Sequence, residues 1–152
     1  MFKKMLVCLD GSNFSEQILQ YVLEEAAGTT REIVLLRVIP VPHSIATTGP
    51  GVISSVPPVP PSPEQLAEEE TKVKEYLDSK AKSLKERGIK VECVAITGNP
   101  GETIVNYANN NRVDLIAIAT HGRSGIRRMI FGSVAEYVIK NSKVPILLIK
   151  PK

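Results

Sequence analysis

Between Ala119 and Glu136 the chain reads ATHGRSGIRRMIFGSVAE, where Gly122 and Gly132 enclose nine residues that include Arg123, Arg127 and Arg128. Gly132 then passes straight into Ser133 and a helical pattern. Such a segment is suited to holding an anion. Glycine lets the backbone take positive φ and approach a ligand closely, so that successive N–H groups form an anion-binding concavity. A helix start adds unpaired N–H groups and the positive end of the helix dipole, which together favour phosphate. Two roles are open to Ser133: capping the helix through a Ser133/Glu136 box, or donating to a phosphate oxygen; one hydroxyl can do both. At least two of the three arginines read as ordinary solvated surface.

A second group able to do chemistry lies near the start of the chain. Asp10 closes an apolar run and is followed by Gly11 and Ser12. An aspartate in that setting forms turns, but beside a phosphate site it suits ribose hydroxyls or adenine. Catalytic patterns are harder to find. The residues HGRSG do not make a nucleophile elbow, because Ser124 has Gly122 two before it but Ile126 two after it. The P-loop lysine pattern is missing. His121 would serve as a general base near phosphate or simply as a positioning residue, and His43 is too isolated in the sequence to support a paired-histidine metal site. Efficient hydrolysis of a bound phosphate ester or anhydride would need an oriented water and charge stabilisation that no pattern here supplies.

The elements that must position these residues follow a simple rhythm. Strand-like runs occur at Met5 to Asp10, Ile33 to Ile39, Val91 to Ile96, Val113 to Ala119 and Val144 to Lys150. Most are apolar on both faces, as parallel strands between two helical layers require. Helical patterns lie between them. Asn13 and Glu16 form a possible capping box for the first, with Gly28 closing it. The second opens at SPEQ, with Ser62 as cap, Pro63 in the first turn and Gln65 completing the box, and runs to Gly88. Asn99, Pro100 and Glu102 open the third, and Ser133 with Glu136 the fourth. The order βαβαβαβαβ predicts an α/β fold with a twisted, mainly parallel sheet. Eight prolines fall between Pro40 and Pro63, which predicts a long surface loop, read as a loop or lid in preference to a PxxP recognition motif.

Length and charge narrow the field. At 152 residues and 43% hydrophobic, the chain suits one domain spanning 1–152. A net charge of +3 is too small and dispersed for a nucleic-acid footprint. Cys8 and Cys93 lie in apolar runs, which suits a reducing compartment. The apolar run after Lys3 and Lys4 is too short for a signal peptide and no later one could span a membrane, so the expectation is a soluble cytoplasmic protein. Ligands of open α/β sheets bind beyond the carboxyl ends of strands, where connections leave toward opposite faces. If the first and fourth strands are neighbours, Asp10 faces the glycine-rich segment across that crevice; a flavodoxin-like order would instead bring Gly98 and Asn99 beside it. Periodicity alone does not choose.

Three stretches taken together resemble the universal stress protein family: LVCLDGSNFSEQIL, GNPGETIVNYANNNRVDLIAIATHGRSG and GSVAEYVIKNSKVPILLIK. The likeness covers nearly the whole chain outside the proline-rich segment. It is closest to the nucleotide-binding branch, whose signature is Gly, two residues, Gly, nine residues, then Gly and Ser or Thr. Gly122, Gly132 and Ser133 match it, while Ala119 stands where the first glycine would be. The resemblance implies a five-stranded open sheet of order 3-2-1-4-5 with helices on both faces, Rossmann-like and adenine nucleotide alpha hydrolase-like. It also implies a bound ATP, with Mg2+ as its companion on the phosphates. Asp10, with Gly11 and Ser12 in its turn, would then contact adenine or ribose, and the backbone of Val38 would contact adenine. Ala119, His121, Gly122 and Arg123 would line ribose and phosphates, and Gly132, Ser133 and Val134 would hold the phosphate tail. The family's habit of pairing subunits through the last strand implies a homodimer through VPILLIK, which would cover an exposed apolar edge. The implied function is a nucleotide-dependent regulatory or stress-response module with protein partners of its own. A dimeric interaction protein with weak nucleotide affinity and a slow ATPase are the alternatives.

Overall fold

A computed structural model describes residues 2–26, 28, 30, 32–41, 60–120 and 132–151. His121, Gly122 and Arg123, with Arg127 and Arg128, lie outside the described residues, as do 42–59 of the proline-rich segment.

In chain order the elements are β1 (Lys4–Cys8), α1 (Asn13–Glu16), α2 (Ile18–Ala26), β2 (Glu32–Pro40), α3 (Pro63–Glu86) and β3 (Lys90–Gly98). They are followed by α4 (Pro100–Asn110), β4 (Leu115–Ala119), α5 (Ser133–Asn141) and β5 (Ile146–Ile149). The strands form one sheet of order β3-β2-β1-β4-β5 with parallel pairings. This is the order that puts β1 beside β4.

The alternation of side chains across each strand builds two cores. Met5, Val7, Ile33, Leu35 and Ala117 face Ile18 and Val22 of α2 and Val73, Leu77 and Leu84 of α3. Leu6, Cys8, Val34, Leu36 and Ile116 face Ile104 and Ala108 of α4 and Ala135 and Val138 of α5. The result is a three-layer sandwich, and central strands buried on both sides explain the unbroken apolar runs. On the outer edges β3 and β5 are only partly covered.

Element ends follow local chemistry, with some departures from the sequence expectation. Ser62 and Gln65 form the reciprocal capping box of α3, with Pro63 in its first turn. Gly88, at φ +79°, closes that helix with Gly88 N donating to Lys85 O and Ile89 N to Leu84 O. Asn99 caps α4 by accepting from Glu102 N. The first helix, however, is capped by Ser12 and not by an Asn13/Glu16 box, and it breaks at Gln17 before α2 begins. Gly11 at φ +86° turns the chain so that the Ser12 side chain, one residue earlier than expected, meets Ser15 N. Gly28 does not take the left-handed conformation expected of a closing glycine. In a further departure, β2 runs on through Pro40, opposite Gly98. The β1 register ends at Cys8 opposite Leu36, so beyond that point β2 is flanked on one side, where a missing N–H is tolerated.

Candidate functional site

The connection from β1 leads to α2 on one face of the sheet and that from β4 leads to α5 on the other. Between them, at the carboxyl ends of the strands, opens a cavity of about 290 Å³. Cys8, Leu36, Ile118 and Ala119 form its floor, with Val38, Pro40, Pro100 and Ile104 on one side and Val134 and Ala135 on another. Burial pushes the Cys8 thiol up from 9.0 to about 12, so the floor is uncharged at neutral pH. The polar groups in the lining are Asp10, Ser15, Arg37 and Glu69.

Asp10 both builds the turn and lines the cavity. Its Oδ1 accepts from Ser12 N at 2.8 Å and from Ser12 Oγ at 2.6 Å, while its own N–H donates to Ser15 Oγ at 3.2 Å. Ser15 Oγ in turn donates to Ser12 O. The two sequence readings of Asp10 are therefore compatible: the turn bonds hold its carboxylate at the rim of the cavity.

Across the cleft α5 begins with no side-chain cap among the described residues. Its N-cap is Gly132, at φ 79° and ψ 158°, a region that essentially only glycine adopts. The Ser133/Glu136 box does not form, because Ser133 is already the first helical residue; Glu136 pairs instead with Lys140 at 3.0 Å. By contrast α1, α3 and α4 have Ser12, Ser62 and Asn99 on their first-turn amides. The exposed hydroxyl of Ser133 and the opening turn of α5 stand beside Val134 and Ala135 of the lining.

Of the residues singled out from sequence, Asp10, Val38, Ala119 and Val134 line the cavity, Gly11 and Ser12 form the adjoining turn, and Gly132 and Ser133 begin α5. The structure adds Arg37, which sequence reading passed over. Its signal was a lone cation inside the buried run IVLLRVI. Among the described residues no group of three or more His, Cys, Asp or Glu could hold a metal ion, and no helix is long and apolar enough to cross a membrane.

Comparison with known proteins agrees with this architecture. The universal stress protein family model matches residues 1–150, and the chain belongs to that family. Universal stress protein MJ0577 of Methanocaldococcus jannaschii is 31% identical over 159 residues, covering 100% of this chain and 97% of its own length. The solved structure of MJ0577 matches with a TM-score of 0.73 at 28% identity, over 100% of this chain and 98% of that one. Two more distant structures share the fold at 19% identity. One is a universal stress protein in complex with cAMP, at TM-score 0.70 over 99% of both chains. The other is the Arabidopsis thaliana family protein At3g01520 with AMP bound, at TM-score 0.63 over 99% of this chain and 92% of that one.

Proposed function

We propose that the protein is an adenine-nucleotide-binding regulatory module whose ligand is ATP. The observation that carries this reading is a glycine-led helix start, without a side-chain cap among the described residues, facing Asp10 across a cleft at the β1/β4 switch point. The opening turn of α5 supplies main-chain donors and a dipole for the phosphate tail at Gly132, Ser133 and Val134. Asp10 accepts from ribose hydroxyls, and the apolar side at Val38 and Ile104 takes the base, with the Val38 backbone reading adenine. Ala119 leads to His121, Gly122 and Arg123, which complete the ribose and phosphate lining in this reading. A cavity of about 290 Å³ is close to the lower end of the size of small-molecule sites, roughly 300–1,000 Å³. The AMP-bound and cAMP-bound proteins of the same fold support an adenine ligand. Mg2+, if bound with the nucleotide, would be held by its phosphates and would neutralise part of their charge.

In this reading the module works as a cytoplasmic homodimer. The half-covered strand β5 is the edge that pairing with a second copy would complete. Nucleotide occupancy changes a surface that protein partners read, and hydrolysis is at most slow. The test is calorimetry on purified, nucleotide-free protein: ATP binding in the micromolar to millimolar range is expected, and no heat of binding at millimolar ATP overturns the reading. One residue favours a second reading, a dimeric interaction protein with weak nucleotide affinity. Ala119 lines the cavity where the family signature has glycine, and in this reading its methyl group takes space that a glycine would leave to the ligand. Nucleotide released on denaturing the purified protein would count against that second reading.

A further inference from the structure

Arg37 lies on β2 in the row Ile33, Leu35, Arg37 and Ile39, otherwise buried, and is itself half-buried at the cavity wall. A cation drawn partly out of water ordinarily sits against a carboxylate. Among the described residues Arg37 forms no ion pair. Its guanidinium lies instead on the backbone of Gly11: a Cβ there would fall 2.8 Å from Cζ, 2.9 Å from Nη1 and 2.8 Å from Nη2. Three nearly equal distances mean that the plane is face-on to the turn. Its Cζ is also 5.1 Å from the centre of the Tyr76 ring. Tyr76 is itself anchored, because its hydroxyl donates to Glu16 Oε1 at 2.8 Å while Glu16 Oε2 holds Lys80 Nζ at 3.1 Å. Glu16, the neighbouring acid, is thus engaged by other partners. Face-on packing uses the faces of a guanidinium and leaves its in-plane N–H donors for a ligand.

We propose that Arg37 is a ligand contact that selects adenine nucleotides bearing a second phosphate on the ribose, on the hydroxyl beside the one Asp10 holds. An acid that accepts from a free ribose hydroxyl and an arginine that donates to a ribose phosphate are the two devices by which nucleotide folds read the sugar. Here both stand at one turn, since the guanidinium covers Gly11, the residue after Asp10. A phosphate at that place gives the half-buried cation the anion it lacks among the described residues. The exposed carboxylates of Glu69 and Asp10, both in the lining, oppose this only weakly because solvent screens them.

The inference rests on the adenine-nucleotide reading, and one set of titrations separates the two. Nucleotide-free protein is titrated with AMP, ATP, adenosine 2′,5′-bisphosphate and adenosine 3′,5′-bisphosphate. One bisphosphate is expected to bind about 10- to 100-fold more tightly than AMP, and which of the two does so identifies the hydroxyl. In Arg37→Met that preference collapses toward unity, and Arg37→Lys recovers part of it, with thermal unfolding checked for both. Equal binding of AMP and both bisphosphates by the unsubstituted protein overturns the role of Arg37 and leaves the adenine reading standing. A preference that survives in Arg37→Met overturns it too, and binding of none of the four ligands removes the adenine reading itself.

Discussion

The two ends of the parallel sheet treat an aspartate in opposite ways. At the amino end Asp114, just before β4, accepts from both Lys3 N and Lys4 N at 3.0 Å, and its own N–H donates to Lys4 O. Around it Glu32 lies between Lys4 at 3.4 Å and Lys90 at 3.9 Å, and Thr30 Oγ1 donates to Phe2 O. That end is a closed set of bonds tying strands together. At the carboxyl end Asp10 shapes a turn at the edge of a cavity, and, among the described residues, a helix starts without a side-chain cap and an arginine stacks on glycine with no acid paired to it. Polar groups tied into strand pairing contribute stability, whereas groups held in place at the edge of a cavity are positioned to meet a ligand.

Substitutions at paired positions test this contrast, and the largest effect is expected at glycine. Gly132→Ala forces a side chain into a glycine-only region, which costs about 1–3 kcal/mol in stability and reduces ATP affinity at least tenfold. Gly88→Ala, at the closed end, costs about 1–2 kcal/mol by thermal unfolding and leaves ATP affinity unchanged. If both variants lose affinity alike, the division between the two ends is wrong. Next in size, Asp10→Asn keeps an oxygen for Ser12 but removes the charge, and ATP affinity falls roughly tenfold as a charged hydrogen bond becomes a neutral one. Asp114→Ala instead lowers stability by about 0.5–1.5 kcal/mol with no change in calorimetric affinity.

Smaller effects follow at the serines. Ser62→Ala removes a working cap and costs about 1 kcal/mol. Ser133→Ala removes none and changes stability by less than about 0.5 kcal/mol, while ATP binding weakens a few-fold; a full capping cost there would mean that Ser133 does cap α5. A separate expected effect concerns pH. Burial raises Cys8 from 9.0 to about 12 and Cys93 to about 11, the latter also through Asp78. Below pH 9 both states keep the thiol protons; from there to about 12 the unfolded chain gives up protons that the native state retains, so stability falls as pH rises. Burial also raises Tyr76 and Tyr107, which act in the same direction at higher pH. Urea midpoints between pH 8 and 10.5 should decline, and less steeply in Cys8→Ala.

Periodicity made the layers legible because burial on both faces leaves unbroken apolar runs, and the box at Ser62 and Gln65 follows directly from residue types. Strand order did not follow from pattern, since β1 can pair with either β3 or β4 at equal local cost; the family resemblance supplied what pairing confirms. The caps were ambiguous for a physical reason. In DGSNFSE more than one side chain could cap, and Gly11 decides for Ser12 by setting where the chain turns. At FGSVAE the same kind of reasoning put Ser133 one place too far out, because a glycine can occupy the cap position with no side chain to announce it. Arg37 was missed because its neighbours in sequence are core residues, and only the pairing of β1 with β2 and the packing of α3 on β2 bring it to Gly11 and Tyr76.

Backbone amide resonances report most directly on whether the start of α5 receives phosphate. On titrating isotope-labelled, nucleotide-free protein with ATP, the amides of Ser133, Val134 and Ala135 should show the largest downfield shifts, while those at the Ser62 and Asn99 caps stay still. Saturating ATP that leaves the α5 amides in place, or that moves the capped helices by as much, contradicts the assignment.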